Sequence, residues 1–229
     1  MREINILGLR LRDYTLREKM RLVDAYLRSG KLNTIVYVSA QILMNAQQDL
    51  EQRQWLENIN IVVYCDAAIA RAAGVTTRKY LKEIENNIFL KELLRKLACE
   101  GRTLYLLSDS VDNMRVLESE LGRFQRTADI VGTRIFEEEE EESGADAVIN
   151  DINDKAPGAV LSLLAYPRQE AFLYYNRDKI NADIWVGLHK GDLVLGGEEK
   201  AAAALFRKLQ RKVFQRKIHQ YESQEKTES

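Results

Sequence analysis

Apolar residues in this chain gather into short unbroken blocks. "TIVYV" (34–38), "INIVVYC" (59–65), "RTLYLLS" (102–108), "ADIVG" (128–132), "GAVLSLLA" (158–165) and "ADIWVG" (182–187) are rich in β-branched and aromatic residues and mostly lack in-and-out alternation. Runs of that kind suit strands covered on both faces, as in a parallel sheet. Between them the apolar positions recur at helical spacing and predict helices over 16–29, 41–49, 77–100, 111–121, 145–153 and 168–178. Strand and helix alternate, which predicts an α/β, doubly wound, mostly parallel sheet. Ligands of such sheets sit beyond the carboxyl ends of the strands. Chemistry is therefore sought at 39–41, 65–68, 108–110, Thr133, 166–170 and 188–192.

From Glu198 the chain changes character, so residues 1–197 read as the main domain and 198–229 as a basic helical appendage with a polar tail. Leu205, Phe206, Leu209, Val213, Phe214 and Ile218 can share one helix face. Arg207, Lys208, Arg211, Lys212, Arg216 and Lys217 crowd the rest. A basic amphipathic helix suits an anionic membrane surface, where each cation contributes ~1 kcal/mol. It suits equally well docking of the apolar face on the domain itself or on another subunit, and a homo-oligomer is left open.

Composition narrows the field. Lys and Arg total 34 against 35 Asp and Glu, a net charge of −1 in 229 residues, which gives no global pull toward nucleic acid. Cys65 and Cys99 are the two cysteines, neither a disulfide framework nor a metal motif, as expected in a reducing cytoplasm. The opening segment has charges threaded through it, unlike a signal peptide, and no stretch approaches the ~20 apolar residues of a spanning helix. The six glutamates at 137–142 read as a solvated first helical turn rather than a metal site.

Phosphate-binding glycine loops, a nucleophile elbow and paired zinc histidines are missing from the sequence. His189 and His219, thirty residues apart, make a poor catalytic pair. Asp66 follows a predicted strand directly. Its carboxylate can act as a general base at the sheet edge or as the N-cap of "AAIARAAG", and both readings stand. Pro167 to Glu170 predict a helix start with proline in the first turn, where exposed N–H groups, Arg168 and Gln169 could hold a phosphate or sugar oxygens; plain capping is the alternative. Asp192 reads first as a turn residue.

The order of these segments resembles the WecG/TagA/CpsF glycosyltransferases. The resemblance rests on "INILGLRLRDYTLREKMRLVDAYL", "VVYCDAAIARAAG", "RTLYLLSDSVDNMRVLESEL", "ADIVGTRIFEEEEEE" and "PRQEAFLYYNRDKI", in that order, and runs to about Gly197. It implies a Rossmann-like domain and inverting, metal-independent transfer of an N-acetylhexosamine from a UDP-sugar to a polyprenyl-diphosphate-linked sugar, with no cofactor. It places Asp66 on the catalytic base, Gln169 with Glu170 on the substrate-contacting turn, and Asp192 on the aspartate ending a late glycine-rich turn. The C-terminal appendage would reach the inner face of the membrane. The chain departs from the pattern where Tyr37 and Ser39 stand for a threonine and an asparagine, and where Ser108 and Asp109 stand for paired glycines that would let backbone approach a phosphate. Those four are carried as substrate-side candidates, and Arg78 and Lys82 as positions near an assisting arginine. A catalytically silent relative serving as an interaction or regulatory subunit is the alternative.

Overall fold

The computed structural model describes residues 1–123, 128–137, 142–189, 212–221 and 223. A hairpin, β1 (Arg2–Ile6) and β2 (Leu9–Asp13), leads into α1 (Leu16–Tyr26). Then follow β3 (Asn33–Val38), α2 (Ala40–Gln48), α3 (Leu50–Glu57), β4 (Ile61–Tyr64), α4 (Ala67–Ala72), α5 (Arg78–Glu85), α6 (Ile88–Cys99) and β5 (Leu104–Ser108). The order continues with α7 (Val111–Arg123), β6 (Ile130–Ile135), α8 (Glu142–Lys155), β7 (Ala159–Leu163), α9 (Arg168–Asn176) and β8 (Ile184–Gly187).

β3 to β8 form one parallel sheet in the order β4-β3-β8-β7-β5-β6. Every residue of β3, β4, β5, β7 and β8 is buried, as continuous apolar runs require, and the edge strand β6 is partly exposed. Helices cover both faces. Val38, Val62, Leu107, Val160 and Trp185 belong to a core on the side of the hairpin, α2, α3, α4, α8 and α9. Ile35, Val63, Leu106, Leu161 and Val186 belong to a second core with α1, α6 and α7. The architecture is the Rossmann-like doubly wound sheet that the alternating pattern predicts.

Three local features differ from the sequence expectation. The hairpin turns on Leu7 and Gly8, both at positive φ (54° and 78°), a mirror-image two-residue turn without the usual Asn-Gly signal. The single helix expected over 77–100 is two, because Asn87 adopts the left-handed region (φ 49°) between α5 and α6, and its Oδ1 accepts from the Tyr37 hydroxyl at 2.9 Å. Asp49 ends α2 and caps α3 by accepting from the backbone N–H of Glu51 and Gln52, so a helix forms over 50–57 where none was expected.

Residues 212–221 are helical. Phe214 is 1% exposed in the hairpin-side core, and Ile218 and Tyr221 pack against the same core. A Cβ at Gly8 would lie 2.9 Å from the Tyr221 hydroxyl, so the tip of the β1–β2 hairpin touches this helix closely. Of the expected apolar face, Val213 is 45% exposed and so does not share the buried side with Phe214, and Leu205, Phe206 and Leu209 lie outside the described residues.

Candidate functional site

Because all six strands run parallel, the residues that follow them share one edge: Ser39 after β3, Asp66 after β4, Asp109 after β5, Phe136 after β6, the 164–170 turn after β7 and His189 after β8. β4 and β7 have β3 and β8 between them. Three inter-strand spacings of ~4.8 Å put the Asp66 and Gln169 strand ends on the order of 14 Å apart. No single small group bridges that interval.

Asp66 is half-buried at the start of α4. Its Oδ1 accepts from the Ala68 N–H at 2.7 Å, which fixes the carboxylate at the helix N-terminus. The N-cap geometry is thus realised, at the same sheet edge where a general base would stand.

The turn after β7 is anchored from four directions. The Tyr166 hydroxyl accepts from Asn45 of α2 at 2.9 Å and donates to Gln52 of α3. Asp109 reaches over from β5 and accepts from the Ala165 N–H at 2.7 Å, while its other oxygen accepts from Asn113 (2.6 Å) and Ser110 (3.2 Å). Arg168 donates to the backbone carbonyls of Phe136 (2.7 Å) and Glu137, with its guanidinium 3.8 Å over the Phe136 ring. Gln169 is fully buried over β8, where a Cβ at Gly187 would lie 2.7 Å from its Nε2, so only glycine leaves room for this amide. Pro167 stands just ahead of the first helical turn rather than inside it.

Glu170 is 6% exposed, and neither of its oxygens has a hydrogen-bond partner among the described residues. Burial pushes its carboxyl up to about 7, with its own backbone N–H pulling weakly the other way. His189 Nε2 stands 4.0 Å from Glu170 Oε1. A carboxyl that changes charge near neutrality, at the carboxyl edge of a parallel sheet, is the most chemically poised group on this side of the molecule.

The remaining candidates hold structural bonds. Ser39 is half-buried and caps α2, accepting from Ile42 at 3.4 Å. Ser108 is fully buried and donates to the Ser110 carbonyl at 2.9 Å. Tyr37 is 2% exposed beside Asn87. Arg78 and Lys82 are exposed on α5. Lys212 and Arg216 lie on the exposed side of the terminal helix. Asp192, Arg207, Lys208 and Arg211 lie outside the described residues.

A polar knot missed in the sequence adjoins the Asp66 strand. Lys19 of α1 is 2% exposed and donates to the Tyr80 hydroxyl at 3.3 Å, and Tyr80 donates to Asp13 at 2.7 Å. Desolvation lowers the Lys19 ammonium to about 8, against the pull of Asp13 and Glu83. Lys19, Tyr80, Tyr64, Tyr37 and Asn87 line a cavity of about 20 Å³, room for about one water and not for a sugar. The α1 helical pattern marked Lys19 only as a charge, and nothing local signals that it turns inward.

The family model described as "Glycosyl transferase WecG/TagA/CpsF family" matches residues 4–223. The chain belongs to this glycosyltransferase family. No curated protein matches it significantly. The match begins in the hairpin and runs through the C-terminal helix, so both elements that meet at Gly8 and Tyr221 belong to the WecG/TagA/CpsF pattern. Among the described residues no helix is long and apolar enough to cross a membrane, and no cluster of His, Cys, Asp and Glu could hold a metal ion.

Proposed function

We propose that this chain moves an N-acetylhexosamine of the N-acetylmannosamine type from a UDP-sugar to a polyprenyl-diphosphate-linked sugar, by inversion and without a metal or cofactor, at the inner face of the cell membrane. The observation that carries this reading is Asp66, held at the carboxyl end of β4 in a chain matched by the family over nearly its whole length. Its carboxylate takes the proton of the acceptor hydroxyl as that oxygen bonds to the anomeric carbon. The bond from that carbon to the diphosphate breaks on the opposite side, and its electron pair leaves with UDP. The proton gained by Asp66 passes to solvent when products leave. The basic side of the terminal helix supplies cations toward anionic lipid.

A second reading, a silent relative serving as an interaction subunit, is favoured by one specific feature. Asp109 spends its carboxylate between β5 and the 164–170 turn, where paired glycines would have let backbone amides approach a diphosphate. Calorimetry with UDP separates the two. We expect UDP to bind, and Asp66→Asn to abolish transfer to a prenyl-diphosphate acceptor while retaining UDP affinity within about twofold. No heat at millimolar UDP would leave the silent subunit as the reading.

A further inference from the structure

On the hairpin side of the sheet, between α3 and α9, lies a cleft of about 150 Å³ lined by Trp55, Tyr174, Tyr175, Gln52, Asp49, Glu51 and Glu170, with Pro167 and Ala171 completing its wall. Trp55 is mostly buried, whereas Tyr174 and Tyr175 are 50% and 70% exposed. Their rings meet edge to face at 5.1 Å and 89°, an aromatic corner left open to solvent. Glu170, the most deeply buried carboxylate of the lining, has no hydrogen-bond partner for either oxygen among the described residues. A buried polar group without a partner costs stability unless something else satisfies it.

The lining selects its ligand by charge. It holds three carboxylates and no Lys, Arg or His, so a phosphate or diphosphate is repelled. A cationic ligand is only weakly favoured. Asp49 already accepts from two backbone N–H groups of α3 and from Gln52 Nε2, and Glu170 is biased toward its neutral form by burial. Asp49 and Glu51 are both exposed, so water and salt screen their pull on a cation. A neutral carboxyl both donates and accepts, as sugar hydroxyls do, and a tyrosine face offers a flat apolar surface to the C–H face of a pyranose. The volume admits about one ring, below the 300–1,000 Å³ of drug-sized sites.

We propose that this α3–α9 cleft binds one neutral pyranose, the sugar of the acceptor, with Tyr174 and Tyr175 as the stacking corner and Glu170 as the hydrogen-bonding group at its base. The assignment of that sugar to the acceptor rests on the transferase reading above. The neutral ring then sits on the aromatic side of the 164–170 turn, and the diphosphate stays outside the acidic lining.

The test is ligand-observed saturation-transfer NMR on the full chain with free hexoses and N-acetylhexosamines, run beside UDP calorimetry on the same preparations. At least one monosaccharide is expected to bind the native chain, and the Tyr174→Ala/Tyr175→Ala variant is expected to weaken it about tenfold. Both residues are exposed enough for the variant to fold, which circular dichroism checks, and UDP affinity is the internal control. UDP binding without any sugar signal overturns the cleft assignment and leaves the transferase reading intact. Sugar binding that survives the double substitution overturns it as well, as does stronger binding of tetramethylammonium than of any sugar. Sugar binding lost in the double variant, with no UDP heat in the native chain, supports a sugar cleft and sinks its assignment to a transferase acceptor.

Discussion

Glu170→Gln turns the state of the 164–170 turn into a measurable pH dependence. The substitution keeps side-chain size and removes the titratable group. In the folded chain burial raises this carboxyl from 4.5 to about 7. Below about pH 4.5 folded and unfolded states both carry the proton, and any stability linked to it is fully present. As pH rises from 4.5 toward 7 the unfolded chain releases the proton while the folded chain retains it, so stability falls. The interval corresponds to about 3 kcal/mol at ~1.4 kcal/mol per tenfold change in proton affinity. Urea denaturation at half-unit steps from pH 4.5 to 8 is the assay. The native chain is expected to lose about 3 kcal/mol more than Glu170→Gln across that range, whatever the offset between them at pH 4.5. Parallel pH profiles would refute the desolvated state of this carboxyl, which stands 4.0 Å from His189 Nε2 without a hydrogen bond to it, and with it the group placed at the base of the cleft.

Two further outcomes follow from the same packing. Gly187→Ala drives a methyl group into the Gln169 amide and is expected to cost about 1–3 kcal/mol in urea unfolding; Gln169→Ala in the same chain should recover part of the loss, and an unchanged midpoint in the single variant would remove the steric argument. Lys19, lowered from 10.5 to about 8, predicts stability rising by up to about 3 kcal/mol as pH climbs from 8 toward 10.5, because there the unfolded chain binds the proton that the folded chain has lost. Tyr64, Tyr80 and Tyr105, whose hydroxyls burial pushes up, act in the opposite direction above about pH 10. Denaturation between pH 8 and 9.5 isolates the lysine, and Lys19→Met should be flat over that window; an equal rise in both chains would count against a desolvated ammonium.

The sheet was legible in the sequence because a strand buried on both faces has little freedom in composition. "IVVY" and "AVLSL" can hardly be anything else when bounded by polar turns. Boundaries failed where one residue's backbone decides. Asn87 interrupts a pattern that is apolar at helical spacing on both sides, and Leu7 accepts a positive φ that its side chain does not advertise. At the candidate site, sequence position was enough to put Asp66 and the 164–170 turn on one shared edge, because parallel strands force the following residues there. It did not reveal what each side chain does on arrival. Arg168 and Asp109 looked like ligand contacts, yet Arg168 clamps β6 and Asp109 clamps the turn. The aromatic cleft was visible only as "LYYN" on a helix, since its other wall comes from α3, more than a hundred residues earlier.

With Phe214 sealed beneath the hairpin and Tyr221 pressed to its tip, the last described helix leaves Val213 as its open oily side chain. Such a segment cannot sink into acyl chains without first peeling off the first fifteen residues' β-ribbon. Adhesion to a bilayer through it would be chiefly a matter of headgroup attraction, reversible and readily washed away by potassium chloride, and neutralising Lys212, Arg216 and Lys217 would loosen it.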